Sequence, residues 1–291
     1  MNVSSKHHYI PRFLIRQFAD EEGMLYIYDK SKGQIQRDKK GAGAIFFEMN
    51  RNTIKIEGQS NDNMEKLYGA IDDKFAKGLN TLLKTKTLTE EVAVDVVMLA
   101  STLKWRIPAT DGDFDNLSDE LGYAELPIKI NLSGTNHEAE KSAMEELIHS
   151  ETFKQTKRVI FPFLPFYTNG YLDNQKLFNI FKRSYIINDN RINSILGDVP
   201  ILEKNPGDVH NFSDQIFPIS NQITFIYSTT GNQKIKDMTF YVQRDIAILE
   251  QSKQYVVSRD KAYLQSIINA HAVAKNMGMV GKITGQLFEQ V

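Results

Sequence analysis

Residues 222–228 read Gln-Ile-Thr-Phe-Ile-Tyr-Ser, a β-branched and aromatic run too short for a helix. The step Phe217-Pro218-Ile219-Ser220 precedes it as a turn, so the run reads as a strand. Residues 177–187 and 192–197 have the same Ile, Phe, Tyr and Thr-rich character and are read as strands too. Near the other end, Met24–Tyr28 (MLYIY) is a strand, Asp29–Gly33 a turn, and Gln34 begins the return of a hairpin with a basic tip. Helical patterns lie on either side of this β-rich middle. Met64, Tyr68, Ile71, Phe75, Leu79 and Leu82 recur at three- and four-residue steps and predict an amphipathic helix over 61–83. Val92, Val96, Leu99 and Leu103 mark a second helix over 90–107, with a capping box from Thr87 and Glu90 and a stop at Pro108. Residues 109–136 read as loop and 137–157 as helix. Residues 159–167 (VIFPFLPFY) hold two prolines, which argues against a central strand. Helix returns over 235–249 and 260–276. The expected fold class is α+β: a mostly antiparallel sheet with flanking helices, a helix-rich N-terminal half and a helical C-terminal tail, in one domain over 1–291.

Composition narrows the chemistry. Among 291 residues, 35 Lys and Arg balance 36 Asp and Glu, so net charge does not drive the chain onto nucleic acid or membrane. Cysteine is absent, which excludes disulfides, thiolate metal sites and a cysteine nucleophile. The opening MNVSSKHHYIPRF has no apolar core of signal-peptide length, and no apolar run would span a bilayer. A cytoplasmic location with no membrane partner is expected, and no pattern specifies an oligomeric state. Local charge is uneven: residues 109–151 hold eleven acids and two bases, residues 152–191 seven bases and two acids. That contrast reads as two solvated faces of opposite sign, or as a basic surface that meets phosphate. The phosphate-loop, dinucleotide and His-Glu-x-x-His signatures are absent, and Ser220 lacks a nucleophile elbow. His137, His149, His210 and His271 stand alone as surface or packing residues.

Five residues stand out as site candidates. His7 and His8 are adjacent in an extended segment, so their side chains point to opposite faces, one toward a site and the other into packing. Neutral imidazole ligates metals and takes protons near neutral pH. Tyr9, Ile10, Pro11, Phe13 and Leu14 follow and would anchor the segment. Glu65, with Asp72 seven residues on, borders the apolar stripe of the 61–83 helix; alternatively it completes a capping box with Asp62. Arg106 projects inward and needs a carboxylate, phosphate or carbonyl. Asp198 precedes a turn stiffened by Pro200, which suits a metal or proton, or ordinary turn chemistry.

The run KHHYIPRFLIRQFA (6–19) resembles the opening of a bacterial family of unknown function, number 4238 among the domains of unknown function. LYIYDKSKG (25–33) is similar to its hairpin, MEKLYGAID (64–72) to its glutamate-bearing helix, and LKWRIP (103–108) to its Arg-x-Pro helix end. ILGDVPIL (195–202), IFPIS (216–220) and QSIINAHAV (265–273) resemble later steps, with Gly197 where the family often has Ser and Val199 where it has Asn. The resemblance implies one α+β unit and an association with defence or mobile elements, including phage defence. It implies no reaction.

The polar positions it shares are His7, His8, Glu65, Arg106 and Asp198. Histidine, carboxylate and arginine together suit metal-assisted phosphodiester hydrolysis, so the first expectation is a metal-dependent nuclease or phosphodiesterase. His8, Glu65 and Asp198 would hold a divalent ion (Mg²⁺ or Mn²⁺), His7 would be general base, and Arg106 would steady phosphate charge. Lys30, Lys32, Arg37, Lys39 and Lys40 would dock nucleic acid. A non-catalytic sensor or interaction module with a buried His/Glu/Arg network is the alternative, and a nucleotide-processing hydrolase or transferase the third. The test is geometric. Catalysis puts His7 or His8 within hydrogen-bond reach of Glu65 or Asp198 in an open cleft; a module seals them off.

Overall fold

A computed structural model describes residues 5–56, 59–129, 131, 140–168, 174–188, 190, 192–229 and 237–291. The first residues of two predicted helices, 137–139 and 235–236, lie outside them, as does His137. The chain opens with β1 (Lys6–His8), followed by a short helix α1 (Arg12–Arg16) that starts after Pro11. Ile10, Leu14, Ile15 and Phe18 are fully buried. At about 1.5–3 kcal/mol for each large apolar side chain, that burial overwhelms the entropy of a free tail and fixes the N-terminal segment in the core.

Next come β2 (Met24–Asp29), β3 (Gln34–Ile35) and β4 (Lys40–Gly41), then β5 (Phe47–Met49). β1 pairs antiparallel with β5, His7 opposite Glu48 and His8 opposite Phe47. β6 (Ile54–Ile56) and β7 (Gln59–Asn61) form a small hairpin that leads into α2 (Asn63–Thr85). α2 buries Met64, Tyr68, Phe75, Leu79 and Leu82, the predicted stripe save Ile71, which is partly buried against the core. α3 (Glu90–Arg106) is capped by Thr89, whose side chain accepts from the Val92 amide; Thr87 does not cap it. It is buried nearly all round and makes the central rod of the N-terminal half.

Residues 109–136, read as loop, contain α4 (Asp111–Glu120). Its Asp and Asn content hid a helix that is held by Phe114 and Ser118, both buried. The predicted helix over 137–157 is α5 (Lys141–Ile148) and α6 (Glu151–Ile160), broken at Ser150, which caps the second by accepting from the Phe153 amide. The proline-bearing run 159–167 is helical, ending in α7 (Leu164–Thr168), so the argument against a strand holds. The acidic and basic stretches partly neutralise each other: Arg158 bonds Asp111 at 2.8 Å and Lys154 bonds Asp115 at 3.0 Å.

The predicted strand over 177–187 is half helix: α8 (Asn174–Lys182) precedes β8 (Ser184–Asn188). The strand over 192–197 shrinks to β9 (Leu196–Gly197). Then follow β10 (Leu202–Glu203), β11 (Gln215–Pro218) and β12 (Ile223–Tyr227). β12 is the predicted strand, with all five residues buried, as a central strand requires. α9 (Met238–Gln251), β13 (Tyr255–Ser258), α10 (Lys261–Asn276) and α11 (Val280–Phe288) complete the chain. One antiparallel sheet has the order β10-β11-β12-β8; another runs β3-β2-β13-β9, with β4 also pairing β2. The fold is α+β with antiparallel pairing. The largest apolar cluster joins the N-terminal segment (Ile10, Leu14), α3 (Leu99, Leu103) and the distant strands β12 and β13 (Phe225, Val257). Among the described residues no helix is long and apolar enough to cross a membrane.

Candidate functional site

The N-terminal ribbon carries the two imidazoles to α2 and to the end of α3. Pairing with β5 and the hydrogen bond from the Tyr9 amide to the Phe46 carbonyl (3.0 Å) fix the backbone on both sides of His8. His7 is fully buried, and its Nδ1 accepts from the Asn52 amide at 2.8 Å. The Asn52 side chain donates to Glu65 Oε2 at 2.7 Å, so His7 and Glu65 are joined through one residue. Glu65 is thus drawn to Asn52, while Asp62 pairs with Lys66 and gives α2 no side-chain cap.

His8 is partly buried, with its ring 5.7 Å from that of Phe47. It hydrogen-bonds the Ala42 backbone, a contact that favours its charged form, while Nε2 is buried with no partner among the described residues. A donation from Nδ1–H to Ala42 would leave the lone pair on Nε2, the nitrogen without a partner among the described residues. Burial, then the guanidinium groups of Arg12 and Arg106, push the imidazole down to about 4; Glu65 opposes them. His8 is neutral at physiological pH.

Arg106 is 3% exposed at the end of α3. Its Nη1 donates to both Asp72 oxygens, at 2.8 and 3.0 Å, and its guanidinium lies 4.5 Å from the Tyr68 ring centroid. Burial pushes the Asp72 carboxyl up against the pull of Arg106. The Nε of Arg106, the Tyr68 hydroxyl and the hydroxyl of Thr53, next to Asn52, are also buried without partners among the described residues. Behind them, Arg51 donates to the Arg106 carbonyl (2.9 Å), forks onto Asp111 (2.6 and 3.1 Å) and reaches Glu48 (2.7 Å). Arg158 completes the support through Asp111 and the Trp105 carbonyl.

The structure brings together His7, His8, Glu65 and Arg106, and it places Asp198 elsewhere. Asp198 accepts from the amides of Lys253 (2.7 Å), Gln254 (2.6 Å) and Tyr255 (3.1 Å), tying β9 to the start of β13. The predicted ligand set His8, Glu65 and Asp198 is therefore not assembled, and among the described residues no group of three or more His, Asp or Glu side chains could hold a metal ion. The role of ordinary turn chemistry is the one Asp198 fills. The predicted docking surface is also reduced. Lys30 donates to the carbonyls of Leu249 (2.6 Å), Glu250 (3.1 Å) and Ser252 (2.5 Å), closing the C-terminal end of α9. Lys39 is paired with Asp20 at 2.7 Å and Lys32 with Asp29 at 3.5 Å. Arg37 and Lys40 remain exposed.

Sequence reasoning missed Asn52, Thr53, Tyr68, Arg51 and Arg158 as site components. Tyr68 was legible only as a core residue of its helix. Arg158 had a signal in the opposed charge of 109–151 and 152–191.

This is an α+β scaffold that buries a histidine–arginine–carboxylate cluster beneath an N-terminal ribbon. Residues 6–168 match the model of the family described as Protein of unknown function (DUF4238), and the chain belongs to that family. The matched stretch contains His7, His8, Glu65 and Arg106, whereas Asp198 and the later resemblances at 195–202, 216–220 and 265–273 lie beyond it. No curated protein and no solved structure matches the chain.

Proposed function

We propose that the His8–Arg106 cluster binds a phosphodiester of nucleic acid and promotes its hydrolysis. One observation carries this reading: His8 Nε2, Arg106 Nε and the Tyr68 hydroxyl are buried without partners among the described residues, Arg106 lies 4.5 Å from the Tyr68 ring, and the charges of Arg12 and Arg106 act on His8. Buried donors and acceptors are normally satisfied, because each one left unpaired costs about 1–3 kcal/mol. An anionic phosphate would accept from Arg106 Nε–H and the Tyr68 hydroxyl, and would oppose the guanidinium charges that, after burial, depress His8.

The chemistry follows from the tautomer. With Nε2 unprotonated, His8 takes a proton from an attacking water as its oxygen bonds to phosphorus. The P–O bond to the leaving sugar breaks, and the leaving oxygen takes a proton from solvent. Bound phosphate raises the affinity of His8 for that proton, so the base strengthens as the substrate arrives. Arg106, steered by Asp72 and Tyr68, stabilises charge on the phosphoryl oxygens. Arg37, Lys40 and the weakly paired Lys32 supply the docking charge. Asp198 takes no part, and no metal-bound step is included. The same reading places the chain in the cytoplasm, where nucleic acid is accessible, with a role in bacterial defence.

By the geometric test a second reading is favoured, a non-catalytic binding module: His7, Arg106 and Tyr68 are buried, His7 reaches Glu65 only through Asn52, and among the described residues neither imidazole bonds Glu65 or Asp198 directly. Incubation of labelled RNA and DNA with the protein, with and without chelator, separates the two. Hydrolysis that persists in chelator and falls at least about 100-fold in His8→Ala supports catalysis. Saturable binding of the same oligonucleotides without cleavage supports the module. Cleavage undiminished in His8→Ala refutes the assignment of His8.

A further inference from the structure

A cavity of about 320 Å³ lies where the end of β1, β5, the turn after α3 and the start of β13 meet, and His7, His8, Glu65 and Arg106 do not line it. Tyr9 and Tyr255 supply aromatic surface to it, and Lys40 and Lys253 stand at its wall. Neither ammonium group has an ion-pair partner among the described residues. The two carboxylates that line the cavity are committed elsewhere: Asp198 to three backbone amides, Glu48 to Arg51 at 2.7 Å. The cavity therefore presents two ammonium groups without ion-pair partners among the described residues, beside aromatic rings, while Asp198 keeps its negative charge behind the amides of Lys253 to Tyr255.

Its walls are also held in place. The Asp198 carboxylate clamps the backbone from Lys253 to Tyr255. Phe46, another lining residue, has φ of 58°, the left-handed region that a bulky side chain rarely occupies. Such a conformation costs about 1–3 kcal/mol and persists where surrounding contacts over-determine it, often around bound ligands. Here the contacts are the Tyr9 amide on the Phe46 carbonyl and the edge-on packing of the two rings at 6.0 Å.

We propose that this cavity is a binding site for a nucleoside monophosphate, its base against Tyr9 and Tyr255 and its phosphate held by Lys40 and Lys253. The volume is at the lower end of small-molecule sites, about 300–1,000 Å³, and suits one nucleotide unit. Base–aromatic contact and a pair of lysines recognise the two halves of such a ligand separately. The site uses neither imidazole of the His8 cluster but shares Lys40 with the docking charge of the hydrolytic reading, so Lys253 is the residue that separates the two.

Calorimetric titration of the full chain tests it, with AMP, UMP, adenosine and ribose 5-phosphate as probes. The expected result is saturable binding of at least one nucleotide, with the corresponding half-ligand weaker by about tenfold or more. Lys40→Ala and Lys253→Ala, both at exposed positions, should each weaken nucleotide binding by about fivefold or more. No saturable nucleotide binding overturns the proposal. So does ribose 5-phosphate or adenosine binding as well as the nucleotide, or binding undiminished in the lysine variants.

Discussion

Acid destabilisation of the protein should carry the signature of His8. In the folded chain its pKa lies at about 4, against 6.5 for an ordinary imidazole. Between those values the unfolded chain binds a proton that the folded chain refuses, so stability falls as pH drops through 6.5 and the loss is complete below about 4. The interval of 2.5 pH units sets an upper limit of about 3.4 kcal/mol. The ring is partly open to solvent, and screening reduces the expected contribution to about 1–2 kcal/mol. Urea unfolding of the wild type and of His8→Gln, followed by circular dichroism from about pH 7 to 4, isolates it, because every other titrating group is common to both chains. The wild type should lose about 1–2 kcal/mol more than the variant over that range. A pH-independent difference between the two would refute the burial of His8 beside Arg12 and Arg106. So would a His8 proton resonance that titrates near 6.5.

Other perturbations test the supporting structure. Asp198→Ala strands three backbone amides and should cost about 3–5 kcal/mol in urea unfolding, which a dispensable surface ligand would not. Asp72→Ala leaves the Arg106 guanidinium buried and unpaired, at about 3–5 kcal/mol, and Asp72→Ala with Arg106→Leu should recover part of that loss. Lys30→Met opens the end of α9 and should lower stability by about 1–2 kcal/mol while leaving oligonucleotide affinity unchanged in a filter-binding assay. Lys86 ends α2 at φ of 55° on the surface, so Lys86→Gly should raise the unfolding free energy by about 0.5–1 kcal/mol.

Periodicity made α2, α3 and β12 legible, since each buries the face or run that its apolar spacing marks. The hairpin at Met24–Ile35 was equally plain from its turn residues. α4 was not, because Asp and Asn mask a short helix whose stability comes from tertiary burial of Phe114. α8 was misread because Leu177, Phe178, Ile180 and Phe181 serve a helix or a strand equally well over so few residues. In the site, the double histidine, Glu65 and Arg106 were found by chemical type and by position on predicted elements. Asp198 shared that type but not the place: a turn carboxylate reads the same whether it faces a ligand or folds back on its own backbone. Lys30 shows the same blindness, as its partners are carbonyls 219 to 222 residues away. Arg51, Asn52 and Tyr68 had no signal, because β-turn polar residues and a helix-stripe tyrosine are ordinary outside the contacts that only the folded chain supplies.

The central claim, that the unpaired atoms around His8 and Arg106 await an anionic phosphate, is tested most directly by the Nε–H resonances of the arginines during titration with a dinucleotide. Arg244 is an internal control, since its Nε–H is already bound to Asp245 at 2.7 Å in a fully buried pair. The Arg106 signal should shift saturably and His8 should gain proton affinity, while Arg244 stays fixed. An Arg106 signal that does not move, or moves only in step with Arg244, would contradict the account.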